Sequence, residues 1–259
     1  MLGAVIGDIV GSVYEFHNHR SKDFHPFFHP RAFFTDDTVC TVAIADALVN
    51  KRHPAVSLKD WGTRYWDNGG WGQRFALRLG SDNLEPYGSF GNGAAMRVAP
   101  AGLLASTAEE ATLLAYAVTE VTHNHPEGMK GAAATATAIY LARMGKKAAD
   151  IRSAVAEQFG YDLSRSVDEI RPGYRFNETC QKTVPEALTC AFEAESYEDA
   201  IRNAISLGGD SDTIAAIAGG VAEALYGIPE HVAAQGWALL PQEMRAVLTG
   251  LYRAAGANP

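Results

Sequence analysis

Apolar residues recur at about every third or fourth position along most of this chain. That spacing gives a helix one apolar face, whereas the alternation typical of half-buried β-strands is almost absent. The helical pattern is found in residues 41–50, 111–121, 133–144, 149–159, 186–194, 197–207, 213–227 and 241–252. It predicts an all-α fold of many short helices.

Polar residues ahead of several of these runs predict helix starts, because an N-cap side chain accepts from a free N–H group of the first turn. The N-caps predicted in this way are Ser57, Ser106, Asp150 and Ser196. Residues 17–34 and 61–92 carry many aromatics and glycines outside the helical pattern. They predict loops, where binding residues commonly lie.

The composition is that of a globular protein, with 259 residues, 47% of them hydrophobic and 20% charged. No linker or charged run divides the chain, so residues 1–259 are expected to form a single domain. A net charge of −8 argues against nucleic acid as a partner.

The N-terminal apolar segment lacks a basic leader and soon meets acidic residues. We therefore expect neither a signal peptide nor a membrane span, and a cytoplasmic protein. The cysteines Cys40, Cys180 and Cys190 form no CxxC motif, which agrees with a reducing compartment and leaves no cysteine-based zinc site.

Two similar acidic motifs lie far apart in the sequence. The first acidic motif is Thr35–Thr38 (TDDT) and the second is Asp210–Thr213 (DSDT), and each directly precedes an apolar, alanine-rich helical run. One capping residue would satisfy a helix start, and neighbouring carboxylates repel one another. Arrays of hard oxygen ligands suit Mg²⁺, Mn²⁺ or Ca²⁺. If the fold brings the motifs together, we expect a divalent metal site with two ions. Glu15 could add a carboxylate, although its spacing alone favours a solvated helix end.

A glycine loop, Gly88–Gly93, precedes another helical run. Consecutive N–H groups in such a loop can hold a phosphate, and Tyr87 and Phe90 could stack on a base. The loop lacks the Gly-Lys-Ser/Thr of a P-loop and does not follow a strand, so a plain glycine-rich turn is the alternative.

Histidines occur in two groups. His123 and His125 could ligate zinc, contact a phosphate or ribose, or transfer a proton, and such pairs also commonly make only structural hydrogen bonds. The other group matches no zinc-finger spacing and has no partner cysteines, which favours a polar loop; it comprises His17, His19, His25 and His29.

Together these motifs resemble those of the ADP-ribosylglycohydrolase family. The matching segments are GAVIGDIVGSVYE, FFTDDT, GSFGNGAAMR, THNHPEG and GGDSDTIAAIAGG, in that order from Gly3 to Gly220. The resemblance implies an all-α orthogonal bundle, with a binuclear Mg²⁺ or Mn²⁺ centre in a cleft that binds ADP-ribose.

The resemblance also implies roles for individual residues. One ion would be held by Thr35, Asp36, Asp37 and Asp212. The other would be held by Asp210, Asp212, Thr213 and Glu15, so that Asp212 bridges the two. The diphosphate and adenosine side of the ligand would contact Gly88, Ser89, Phe90, Gly91, Asn92 and Gly93, with Phe90 as the stacking aromatic. His123 resembles the family's histidine that contacts ribose or phosphate.

We therefore expect a metal-dependent hydrolase that cleaves the N- or O-glycosidic bond between ADP-ribose and an acceptor such as a modified protein side chain. Two Mg²⁺ or Mn²⁺ ions are the expected cofactors, and ADP-ribose and ADP-ribosylated proteins or conjugates the expected partners. Glu15 is the first candidate for general acid/base, followed by Asp36 and Asp37. The alternatives are a two-metal hydrolase of another nucleotide bond and a non-catalytic ADP-ribose-binding protein. The motifs do not specify the acceptor.

Overall fold

The computed structural model describes residues 1–257, and its secondary structure there is helical. The helices are α1 (Leu2–Gly11), α2 (Asp36–Val49), α3 (Pro54–Arg64), α4 (Gln73–Leu79), α5 (Gly93–Met96), α6 (Ala99–Leu104), α7 (Ala108–Thr119), α8 (Pro126–Arg143), α9 (Ala148–Phe159), α10 (Val167–Ile170), α11 (Cys180–Phe192), α12 (Tyr197–Leu207), α13 (Ser211–Tyr226), α14 (Glu230–Ala238) and α15 (Gln242–Ala254). Within residues 1–257 the only β-type contact is an isolated bridge between Gly91 and Thr179. The all-α prediction is confirmed.

Helix α13 lies at the centre of the bundle. It packs against α1, α8, α11 and α12. Every residue from Ser211 to Ala222 is buried. A helix whose side chains are small and apolar on all sides is expected to be enclosed by other helices. The second acidic motif, which forms the start of α13, is thereby held in the interior.

Glycines on one face of α1 let its backbone touch α13. Gly3, Gly7 and Gly11 are four residues apart and so lie along the same helix face. A Cβ atom on Gly7 would lie 2.0 Å from the carbonyl oxygen of Ala215, and one on Gly11 would lie 2.5 Å from Cα of Asp212. Only glycine permits so close an approach of the two backbones. The approach places the end of α1 beside the second acidic motif.

Helix starts were predicted less well than helices. Ser196 caps α12, as predicted. The other three cap predictions are wrong, since Ser57 lies inside α3, Asp150 inside α9, and Ser106 one residue before the true cap, Thr107. Residues 17–34 contain no helix, as expected, but the predicted loop 61–92 includes the end of α3, a short 3₁₀ helix (Trp66–Asn68) and α4.

No helix in the described part of the chain has the length and hydropathy needed to cross a membrane. The three cysteines are buried and carry free thiols.

Candidate active site and metal centre

A cleft with a cavity volume of about 280 Å³ opens beside the first turns of α2 and α13. Most of the residues predicted for the site line it, namely Glu15, Asp36, Asp37, Ser89, Gly91, Asn92, Gly93, His123, Asp210, Asp212 and Thr213. Thr35, Gly88 and Phe90 lie outside this lining in the described structure. The structure thus gathers residues from five separate parts of the sequence around one cleft.

The two acidic motifs touch directly. Thr213 Oγ1 donates a hydrogen bond to Asp37 Oδ2 at 3.2 Å, across 176 residues of sequence. Carboxylate oxygens of Glu15, Asp210 and Asp212 all lie within 4.8 Å of one another. Glu15 therefore faces the second acidic motif, and the solvated helix end favoured by its spacing alone is wrong.

The carboxylates in this region are partly cut off from water and repel one another. Burial, together with the negative charge of Asp210 and Asp36, raises the pKa of Glu15 to about 8. Burial and the charge of Asp8 raise the pKa of Asp36 to about 7. Burial, followed by the charges of Asp210 and Asp37, raises the pKa of Asp212 well above its usual range. Such a cluster is relieved by taking up protons or by binding cations.

Asp37 also presents an oxygen without a protein partner. Its Oδ2 accepts from Thr213, whereas its Oδ1 is buried and has no hydrogen-bond partner within the described residues. Burying an unpaired carboxylate oxygen is unfavourable, and a cation bound to it would remove that penalty. The donor set, all hard oxygens with one of them unpaired, fits divalent ions such as Mg²⁺ or Mn²⁺.

Asp8 holds the first acidic motif, and the sequence analysis missed this role. Its buried carboxylate accepts from the N–H of Thr35 at 2.9 Å, from the hydroxyl of Thr35 at 2.8 Å and from the N–H of Thr38 at 3.0 Å. The hydroxyl of Thr38 donates to it as well. Burial raises the pKa of Asp8 to about 6, although these hydrogen bonds oppose the shift. The available signal was a single aspartate inside an otherwise apolar segment.

Hydrogen bonds within the protein hold most of the glycine loop. Four of its N–H groups donate to protein acceptors, those of Gly88, Ser89, Gly91 and Asn92. The N–H groups of Phe90 and Gly93 have no such acceptor in the described structure. The uninterrupted row of donors expected for a phosphate is therefore not formed.

Side chains around the glycine loop join it to the acidic cluster. Asn92 Nδ2 donates to Asp210 Oδ2 at 2.6 Å. The ring of Phe90 is 43% exposed and lies 5.1 Å from the ring of His125. Tyr87 lines the cleft, and the guanidinium of Arg74 stacks over it at 4.9 Å. The cleft is therefore lined by the aromatic rings of Tyr87 and Phe75, and not by that of Phe90.

His123 and His125 have different surroundings. His125 caps α8, where its Nδ1 accepts from the N–H of Glu127 at 3.1 Å. His123 is buried and lines the cleft. The early histidines belong to no cluster of metal-ligating side chains among the described residues; they are His17, His19, His25 and His29.

The sequence is similar to those of known proteins. A sequence model of the family described as ADP-ribosylglycohydrolase matches residues 1–256. The chain is 27% identical to the ADP-ribosylarginine hydrolase Tri1 of Pseudomonas putida (strain GB-1), over 92% of this chain and 73% of that protein. It is 26% identical to the ADP-ribosylhydrolase ARH3 of Mus musculus, over 89% of this chain and 83% of that protein.

The fold has a counterpart among solved structures. A chain described as an ADP-ribosylglycohydrolase-related protein complex superimposes with a TM-score of 0.73 and 25% sequence identity. The match covers 98% of this chain and 95% of the other. The sequence match along nearly the whole chain and the shared fold lead to one conclusion: the protein belongs to the ADP-ribosylglycohydrolase family.

Proposed function

We propose that this protein is a metal-dependent hydrolase that cleaves the N- or O-glycosidic bond joining ADP-ribose to an acceptor, such as a modified protein side chain. Membership of the ADP-ribosylglycohydrolase family supports action on ADP-ribosylated substrates, and the relatives named above are ADP-ribosyl hydrolases. The observation that carries the proposal is the convergence of Glu15, Asp210 and Asp212 within 4.8 Å, in the cleft that the glycine loop also lines.

The proposed ligands of two divalent ions come from both acidic motifs and from the turns that follow α1. They are Glu15, Thr35, Asp36, Asp37, Asp210, Asp212 and Thr213. Mg²⁺ or Mn²⁺ bound there supplies positive charge that can orient ribose hydroxyls and polarise a water molecule. The unpaired Oδ1 of Asp37 and the raised pKa values of the neighbouring carboxyls support this assignment.

Cleavage breaks the bond between the distal ribose carbon and the acceptor through an oxocarbenium-like transition state, so the site must position water and transfer a proton. Glu15 is the strongest candidate for that transfer. Its carboxylate lines the cleft and makes no hydrogen bond within the described residues, whereas Asp36 accepts from the N–H of Gly70 at 2.9 Å. Asp37 is held by Thr213 in the same way. Asp36 and Asp37 therefore rank second.

The remainder of ADP-ribose would lie along the wall formed by the glycine loop and His123. The lining there combines small backbone surfaces with one aromatic ring and one histidine; it consists of Tyr87, Ser89, Gly91, Asn92, Gly93 and His123. In this proposal Gly88 and Phe90 shape the loop, because neither lines the cleft in the described structure.

The proposal is tested with a panel of ADP-ribosylated peptides that differ in the acceptor residue, incubated with Mg²⁺, Mn²⁺ or EDTA and analysed by mass spectrometry. We expect release of free ADP-ribose from one acceptor class, abolished by EDTA. Release of AMP would instead indicate hydrolysis of another nucleotide bond. Tight binding of ADP-ribose without any release would indicate a non-catalytic binding protein.

The role of Glu15 is tested by Glu15→Gln, which keeps an oxygen ligand but cannot exchange a proton. At saturating Mg²⁺ we expect unchanged ADP-ribose affinity and turnover reduced by about 100-fold or more. Glu109→Gln makes the same chemical change on an exposed residue of α7 and should leave turnover unaltered. Full turnover by Glu15→Gln would remove Glu15 from the acid/base role.

A further inference from the structure

The ring of His123 lies between two polar side chains, Arg97 and Thr122 (the polar pair), and the glycine loop. It is 5% exposed. On one side its Nδ1 is 2.8 Å from Thr122 Oγ1 and 3.3 Å from Nη2 of Arg97. On the other side its Nε2 faces the loop, where a Cβ atom on Gly93 would lie 3.3 Å from it. This Nε2 has no hydrogen-bond partner among the described residues, while His123 lines the cleft.

The polar pair determines which ring nitrogen of His123 carries the proton. A guanidinium group can only donate hydrogen bonds. Nη2 of Arg97 donates to Thr122 Oγ1 and also points at Nδ1 of His123. The Thr122 hydroxyl can donate its own proton to Nδ1, at 2.8 Å, in preference to the carbonyl oxygen of Thr119, which is further away at 3.5 Å. A proton on Nδ1 would face the Arg97 donor at one contact and would displace the shorter Thr122 hydrogen bond at the other. Nδ1 is therefore the acceptor, and Nε2 carries the hydrogen.

The surroundings of His123 also disfavour a second proton on the ring. Arg97 is itself only 1% exposed and stands beside the imidazole. Burial and the positive charge of Arg97 lower the pKa of His123 well below its usual range. The remaining titratable neighbour is Tyr87, whose ring centroid lies 6.1 Å away and whose pKa is raised by burial, so it is neutral. No group facing the ring supplies a compensating negative charge among these contacts.

We propose that Arg97 and Thr122 are positioning residues, which hold His123 as a neutral ring with its Nε2–H directed into the cleft beside the glycine loop. His123 then donates one fixed hydrogen bond to an oxygen of the bound ligand and takes no part in proton transfer. The sequence allowed His123 to ligate zinc, to contact a phosphate or ribose, or to transfer a proton. Of these three roles, the geometry supports contact with the ligand. That the accepting oxygen belongs to ADP-ribose rests on the proposed function, whereas the protonation of the ring does not.

The first test is NMR of the ligand-free protein labelled with ¹⁵N at histidine. We expect the two ring nitrogens of His123 to show the Nε2–H tautomer and to remain unchanged between about pH 5.5 and 8. The exposed rings of His17 and His25 give separate reference signals in the same spectrum. A proton on Nδ1, or titration of His123 within that range, would overturn the proposal whatever the protein hydrolyses.

The second test separates positioning from general stability. Thr122→Val removes the hydroxyl but keeps the side-chain shape, and we expect a mixture of tautomers at His123 and about tenfold weaker ADP-ribose binding, with little change in turnover at saturating substrate. Thr112→Val is the matched control, since that hydroxyl contacts Thr137 at 3.2 Å, away from His123. It should change neither property.

The outcomes of the two tests are distinguishable. An unchanged tautomer and unchanged affinity in a folded Thr122→Val protein would contradict the positioning role. If the wild-type protein fails to bind ADP-ribose, the proposed function is refuted, and the NMR spectrum of His123 still decides its tautomer.

Discussion

Two neighbouring glycines of α13 should respond differently to the same substitution. A Cβ atom on Gly219 would lie 2.2 Å from the carbonyl oxygen of Gly3, whereas the nearest atom to one on Gly220 is Cδ1 of Ile139 at 3.4 Å. The first contact is with the backbone of α1, which cannot rotate away. The second is an ordinary contact with the end of a side chain. Gly219→Ala should therefore destabilise the protein relative to Gly220→Ala.

The expected magnitudes follow from these distances. Alanine is favoured over glycine in a helix interior by about 1 kcal/mol, and both variants receive that benefit. Overpacking a well-filled contact costs about 1–3 kcal/mol, and here it applies only to Gly219→Ala. The two variants should thus differ by about 1–3 kcal/mol in unfolding free energy. For a chain of this size that corresponds to about 2–12 °C in Tm.

Thermal unfolding followed by circular dichroism on both variants and the wild type measures this difference. Because the substitutions are adjacent and chemically identical, helix propensity cancels in the comparison. A Gly219→Ala protein as stable as Gly220→Ala, or more stable, would show that α1 and α13 are not in backbone contact.

Two further predictions concern charge. In EDTA, Tm should fall as pH rises from about 4 to about 8, because the pKa values of Glu15 and Asp36 are raised to about 8 and about 7, so the folded state keeps protons that the unfolded state has released. Saturating Mg²⁺ should flatten this dependence, and a Tm that rises with pH in EDTA would contradict the reasoning. Asp46→Asn should lower stability by about 1–3 kcal/mol in urea unfolding, because the Asp46 carboxylate accepts from Asn50 at 2.7 Å, from Trp61 at 3.0 Å and also from Arg52. Unchanged stability would mean that these contacts form equally well with an amide.

The helices could be predicted because their signal is local. A 3.6-residue period is visible within ten or fifteen residues, and most of the periodic runs are helices in the structure. Cap positions were less predictable, since Ser57 has suitable chemistry but its hydroxyl donates to the carbonyl of Ala43 at 2.7 Å from inside α3. The hydrogen bond that determines the role of Ser57 is therefore made to another helix, α2.

The sequence indicated most of the residues that line the cleft, but not how they are arranged. The acidic motifs were visible from their composition, yet their contact through Asp37 and Thr213 depends on how α2 and α13 are placed. The role of Asp8 could not be predicted, because its four donors lie 27 or 30 residues away. In the same way, the N–H of Gly88 is taken by Asn124, 36 residues further on. No local pattern shows whether a loop N–H is already engaged.

The double attachment of α1 has a consequence for ion discrimination. Asp8 ties this helix to the first acidic motif, and Gly11 presses it against the backbone of Asp212 in the second. Both halves of the proposed metal site are therefore fixed to one rigid element, and neither can move outward without breaking a backbone contact. Mg²⁺ binds oxygen at about 2.0–2.1 Å and Ca²⁺ at about 2.3–2.6 Å. A frame that cannot widen should therefore select by ionic radius and favour the smaller ion.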